Sequence, residues 1–174
     1  RRTDQERNIN VWPDNPMGHS SNDITERFQW TFPIIVAPTD PDTLFVTSQH
    51  VWKSTNEGQS WQRISPDLTR HDLSTMGPSG GPITLDQTGV ETYATVFTLA
   101  PSAVDDRVIW AGSDDGLVHV TRDAGQTWTN ATPEGLPPFT RISLIDASPH
   151  DAASAYLAGN RYQRSDRAPY VYKT

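Results

Sequence analysis

Carboxylates are the side chains of this 174-residue sequence with the widest chemical reach, at 21 Asp and Glu against 14 Lys and Arg. Two carboxyl groups about 5 to 10 Å apart can hydrolyse a glycosidic bond, one as acid and the other as base or nucleophile. Asp40, Asp42, Asp67, Asp72, Asp86, Glu91, Asp105, Asp106, Asp114, Asp115 and Asp146 are available for such a pair. Most stand beside Pro or Gly, where the capping of turn backbone explains them. Asp114 and Asp115 read as hairpin residues in Ser113-Asp114-Asp115-Gly116, because Gly supplies the positive φ of a tight turn. No catalytic residue is assigned on this basis.

Other chemistries are narrower. With no cysteine, the chain has no thiolate nucleophile, zinc ribbon or disulfide framework. Its five histidines lack metal-ligand spacing, and no D-x-D-x-D-G calcium loop occurs, so no cofactor or metal is assigned. The stretch from Pro66 to Glu91 is long and rich in Gly and Pro. It carries His71, Asp72, Asp86 and Glu91 as a candidate ligand or partner surface, against the plainer reading of a solvated excursion. A locally basic run, Arg161 to Arg167, offers Arg161 and Tyr162 as partner contacts at a hairpin tip. A net charge of −7 and no basic patch argue against nucleic acid, and no apolar run is long enough to span a membrane.

These side chains must be held by strands. Six Trp and five Tyr supply the apolar mass that a disordered acidic tail lacks. Short apolar or alternating runs at 34–36, 44–46, 94–99, 108–110, 117–120, 142–145 and 156–157 are each bounded by Pro, Asp, Asn or Gly, and helical periodicity is almost missing. The reading is all-β. It also repeats: Ala37-Pro38, Ala100-Pro101 and Ser148-Pro149 each precede a strand by six or seven residues, which points to one supersecondary unit used three times.

Two octets close the first two repeats, Ser54-Thr55-Asn56-Glu57-Gly58-Gln59-Ser60-Trp61 and Thr121-Arg122-Asp123-Ala124-Gly125-Gln126-Thr127-Trp128. In each, the Asn or Asp side chain can bind turn amides, Gly takes a left-handed position, the hydroxyls satisfy leftover backbone, and Trp re-enters the sheet against a neighbouring unit. Ser54, Asn56, Gly58, Ser60, Trp61, Thr121, Asp123, Gly125, Thr127 and Trp128 are therefore read as scaffold.

The octets resemble the Asp boxes of bacterial-neuraminidase-repeat proteins, sialidases and sortilin-type propellers. Asn8 to Pro16, Phe28-Gln29-Trp30, Ser65 to Thr69, Ser79 to Thr84, Trp110 to Val118 and Asn160-Arg161-Tyr162 are similar to the sortilin-N-terminal-like or glycosyl-hydrolase-like repeat proteins that bacteria export. The resemblance implies four-stranded antiparallel blades of a β-propeller, Asp boxes lying away from a substrate face, and an extracytoplasmic bacterial location. The Arg-Ile-Pro element of sialidases is missing, and Phe32-Pro33-Ile34 lacks its Arg.

The expected organisation is a partial, unclosed propeller of about three blades. Residues 1–31 are the end of a preceding blade or an extended arm, 32–95 a first Asp-box unit with the long loop 66–91, 96–140 a second unit, and 141–174 a third, truncated one. Ending on Tyr172-Lys173-Thr174, where a third box would begin, reads as an excised or processed segment of a longer parent. An unclosed edge needs cover, so the expected partners are other protein chains or the missing blades. The functional expectation is a non-catalytic interaction module, an accessory subunit on a larger extracytoplasmic assembly such as a membrane-bound respiratory or photosynthetic complex. The alternative is a segment of a carbohydrate-active, glycoside-hydrolase-like exported propeller, with a glycan as ligand.

Overall fold

The short alternating runs become eleven strands in three antiparallel sheets in the computed structural model, which describes residues 6–174. The first sheet orders β1 (Ile34–Ala37), β2 (Asp40–Thr47), β3 (Val51–Ser54) and β4 (Gln62–Arg63) side by side. The second repeats that meander with β5 (Val96–Pro101), β6 (Ile109–Ser113), β7 (Val118–Thr121) and β8 (Thr129–Asn130). The third has β9 (Arg141–Ala147), β10 (Ala155–Arg161) and β11 (Asp166–Lys173). Two four-stranded sheets and one three-stranded sheet match the repeat read from the prolines. The outermost strands β4 and β8 are only two residues long and follow directly on the octet tryptophans, so no apolar run announced them.

Period-two alternation makes the middle sheet a shared wall. Ile109 and Ala111 of β6 join Val96 and Leu99 against Phe45, Val51, Ile64 and Leu68 of the first unit. Trp110, from the same strand, turns the other way and packs with Val118 and Val120 against Ile142, Ile145 and Leu157 of the third sheet. The sheets touch closely at Gly112, where a Cβ would come within 2.5 Å of Ile142 Cγ2. Polar bonds stitch the same joints: Val96 N–H donates to Ser48 O at 2.7 Å, and Ile145 N–H donates to Thr98 Oγ1 at 3.1 Å.

The two octets fold almost bond for bond alike. Gly58 N–H donates to Ser54 Oγ at 2.9 Å and Ser60 N–H to Asn56 Oδ1 at 3.0 Å; Gly125 N–H donates to Thr121 Oγ1 at 2.9 Å and Thr127 N–H to Asp123 Oδ1 at 2.8 Å. Hydrogen bonds from the Thr127 hydroxyl and amide and the Thr121 hydroxyl hold Asp123 down at about 2. Asn56 instead donates from Nδ2 to Ser60 Oγ at 2.9 Å, so a neutral side chain serves the same turn. Each Trp then clasps the segment before its own unit: Trp128 Nε1 donates to Ile64 O at 2.8 Å and Trp61 Nε1 to Ile9 O at 3.1 Å. The indoles are half-buried, and Ile9 occupies for the first sheet the place that Ile64 occupies for the second.

A buried arginine fixes the remaining arm. Arg27 N–H donates to Gln49 Oε1 at 2.9 Å, and its guanidinium donates to Ala94 O at 2.8 Å and to Asp67 at 2.9 Å. Burial alone would raise Asp67, but hydrogen bonds from Thr69, Arg27 and His71 outweigh it and hold the carboxyl at about 2.

Two outcomes follow from these contacts. Gly125 has φ +94° and a Cβ there would lie 2.7 Å from Ile64 O, so Gly125→Ala lowers unfolding free energy in urea by about 2 kcal/mol. Asp67→Ala leaves the buried Arg27 without its counter-charge and costs about 3 kcal/mol at pH 7. Because the folded pKa is depressed, Asp67 contributes above its unfolded value of 3.8 and loses that contribution as pH falls towards about 2. A pH-independent penalty for Asp67→Ala would contradict the ion-pair account.

Candidate functional site

The candidate residues of the segment from Pro66 onward do not converge on one point. His71, in a left-handed conformation at φ +51°, pairs with Asp67 at 2.8 Å, and Asp72 caps the short 3₁₀ turn at Leu73–Thr75 through the Ser74 amide at 3.0 Å. Asp86 lies in a small exposed loop closed by its backbone on Ser79, and Glu91 is exposed. Among the described residues no group of three or more His, Asp or Glu is placed to hold a metal ion.

The chemistry gathers instead around Ser113-Asp114-Asp115-Gly116. The hairpin turn is present, with Gly116 at φ +93°, but its carboxylates point inward: Asp114 is 3% exposed and Asp115 1%. That departs from a solvated turn. Asp114 accepts from Thr95 N–H on Oδ1 at 2.9 Å, and its Oδ2 lies 2.9 Å from Thr95 Oγ1. Asp115 accepts from the Ser113 hydroxyl at 2.6 Å and from Arg70 N–H at 2.8 Å, while Arg70 Nε donates to the Asp115 carbonyl. Burial pushes Asp114 up to about 7, and the adjacent Asp115 adds to the rise against the Thr95 bonds. Burial likewise raises Asp115, against the Ser113 and Arg70 bonds.

Asp114 forms part of the wall of a polar cavity of about 280 Å³. Tyr93, just before β5, and Phe139, just before β9, face it. Arg141 and Asn160 come from the third sheet, and Arg161, Gln163 and Arg164 from the end of β10 and the 3₁₀ turn Tyr162–Arg164. Burial, then the nearby Asp114 and Asp115, push the Tyr93 hydroxyl up to about 12. Arg141 lies over the rings of Phe97 at 4.9 Å and Tyr162 at 5.7 Å. The structure thus brings Arg161, which the sequence singled out, together with Asp114, which reads from sequence as a hairpin residue; Tyr162 is not in the cavity wall and instead meets Arg141. His71, Asp72, Asp86 and Glu91 are not in the cavity wall, and Thr75 is the residue of that loop that reaches it. No octet residue is in the wall of this cavity. Tyr93 and Arg141 went unmarked because each is a lone residue in its local sequence.

A single acid in such a cavity has defined chemistry. A carboxyl with a pKa near 7 is protonated for part of the time near neutrality and can donate a proton to a leaving oxygen. The Thr95 hydroxyl can donate or accept, so it serves both states of Asp114.

No family model and no curated protein matches the chain. Solved structures do. An ancestral GH74 enzyme aligns with a TM-score of 0.52 at 19% identity, over 86% of this chain and 15% of that one. A GH74 xyloglucanase from Xanthomonas campestris aligns with a TM-score of 0.54 at 18% identity, over 90% of this chain and 21% of that one. The chain therefore spans about a fifth or less of the length of these enzymes. At this identity the likeness concerns the fold: the three sheets are blades of a partial, unclosed β-propeller.

The state of Asp114 is measurable through stability. Its folded pKa of about 7 lies above the unfolded 3.8, so its contribution is most favourable below pH 4 and is lost as pH rises through 7. Asp114→Asn removes this dependence. The variant gains on the parent by up to about 4 kcal/mol between pH 4 and pH 8, read from urea unfolding at several pH values. Parallel pH profiles would exclude a buried acid that titrates near 7.

Proposed function

We propose that this chain is a segment of a glycoside-hydrolase-like β-propeller, in which Asp114 is the proton-donating acid of a sugar-binding cavity. The single observation that carries the reading is a buried carboxyl of raised pKa in the wall of an open polar cavity, where several of the chain's other carboxylates cap turns. The likeness to GH74 enzymes, one of them described as a xyloglucanase, supports a polysaccharide as the substrate class. It also favours this reading over the accessory-subunit one.

Glycoside hydrolysis needs a second carboxylate across the scissile bond. Asp115 is unsuited to that role because Ser113 and Arg70 occupy it and it is absent from the cavity wall. The second carboxylate is then supplied by other parts of a longer protein or by a partner. The octets serve as Asp-box scaffold in this reading, and an exported, extracytoplasmic setting goes with it.

A docking role has one observation in its favour. Leu144, Ala158 and Val171 lie opposite one another across the three strands of the third sheet, beside Tyr156, and Leu144 is 59% exposed and Val171 68%. Such an apolar sheet face suits cover by a further blade or by another protein.

The enzymatic reading is tested in the longest polypeptide that carries this chain, by release of reducing ends from soluble β-glucans and decorated glucans. Asp114→Asn is expected to lower turnover by about 100-fold or more while the protein remains folded. Unchanged turnover in that variant, or no turnover of any glycan by the parent, would sink it.

A further inference from the structure

We infer that the cavity beside Asp114 takes an anionic sugar, a uronate residue, with its carboxylate seated between Arg141 and Arg164. This rests on the glycan reading above and adds the charge of the ligand to it.

The chain carries a net charge of −7, yet three arginines line this cavity against one carboxylate. Arg161 is already neutralised: its Nε is 3.2 Å from Asp166, and its Nη1 donates to the Pro138 carbonyl. The other two are different. Arg141 donates to Tyr162 Oη at 3.3 Å and Gln163 Oε1 at 3.1 Å, both neutral, and its Nε is buried with no partner among the described residues. Arg164 lies 4.7 Å from the centre of the Phe139 ring, and no hydrogen bond or ion pair to it is present among the described residues. A ring beneath a guanidinium uses none of its N–H donors, so the donors of Arg164 remain for a ligand.

An unpaired buried guanidinium donor is costly, and a planar carboxylate pairs with a guanidinium fork through two charge-assisted hydrogen bonds. Asp114 is not that partner: its hydrogen bonds are to Thr95, and no ion pair joins it to either arginine among the described residues. At about 280 Å³ the cavity sits at the lower edge of the size of small-ligand sites, which suits one sugar ring. Tyr93 and Asn160 offer polar groups for ring hydroxyls. A sulfate ester would present related anionic chemistry, but three oxygens on a tetrahedral centre match two planar forks less well than a carboxylate does.

The test is calorimetric titration of the chain with tri-galacturonic acid, its fully methyl-esterified form, and a sulfated trisaccharide. The free acid is expected to bind about tenfold or more tightly than the neutral ester, with affinity falling as salt is added. Arg164→Gln, at an exposed position, removes that preference, and Arg141→Lys keeps the charge but weakens binding by losing the fork. Equal affinity for acid and ester overturns the inference and leaves the glycan reading intact. So does binding of neither, when the longer polypeptide hydrolyses a neutral glucan. Preference for the sulfated sugar, or acid binding indifferent to both substitutions, also overturns it. Acid binding without turnover of any glycan sustains the site and defeats the hydrolase reading alone.

Discussion

One buried arginine holds four separate stretches of this chain in register through its guanidinium and its backbone amide. Arg27 bonds the β2–β3 turn through Gln49, the loop after the first sheet through Asp67, and the backbone just before β5 through Ala94 O. Ala94 is held in a left-handed conformation at φ +62°, and the next residue, Thr95, is the one that grips Asp114. The position of the candidate acid therefore depends on a charge nearly ninety residues earlier in the sequence. A neutral side chain at position 27 would lose the ion pair to Asp67, which Thr69 and His71 also hold down.

The octets do a different and more local job. Each closes on itself through six or seven bonds within eight residues, so the turn forms wherever the residue types occur in that order. Asn56 and Asp123 show that the geometry, not the charge, is what the turn requires. What the octets add to the whole is the Trp clasp, which carries an indole N–H across to the carbonyl of the unit before. Repetition of that clasp stacks the sheets without a continuous hydrogen-bonded ladder between them.

Stacking then creates the site. Tyr93 and Asp114 lie at one end of the second sheet, and Arg141, Asn160 and the 3₁₀ turn at Tyr162–Arg164 lie at the adjoining end of the third. Neither sheet alone would enclose a cavity. The acid is desolvated by the same packing that leaves the arginines of the neighbouring sheet facing it. Burial strengthens the electrostatics around the Asp114 carboxyl relative to a surface group.

Alternation, turn residues and the Pro-to-strand spacing were enough to determine an all-β chain of three repeated units. These are signals between neighbours in sequence, and hydrogen bonding in a hairpin or an octet is settled by such neighbours. The turn at Ser113–Gly116 was legible for the same reason. That its carboxylates are buried was not, because burial comes from Thr95, nineteen residues away, and Arg70, about forty-five away. His71, Asp72, Asp86 and Glu91 read from sequence as a polar set on a long loop, yet His71 and Asp72 bond within the loop, Glu91 is exposed, and Thr75 is the residue of that loop that reaches the cavity. Sequence proximity determines turns and strands; a site made where two sheets meet is decided by long-range packing, which no local pattern records.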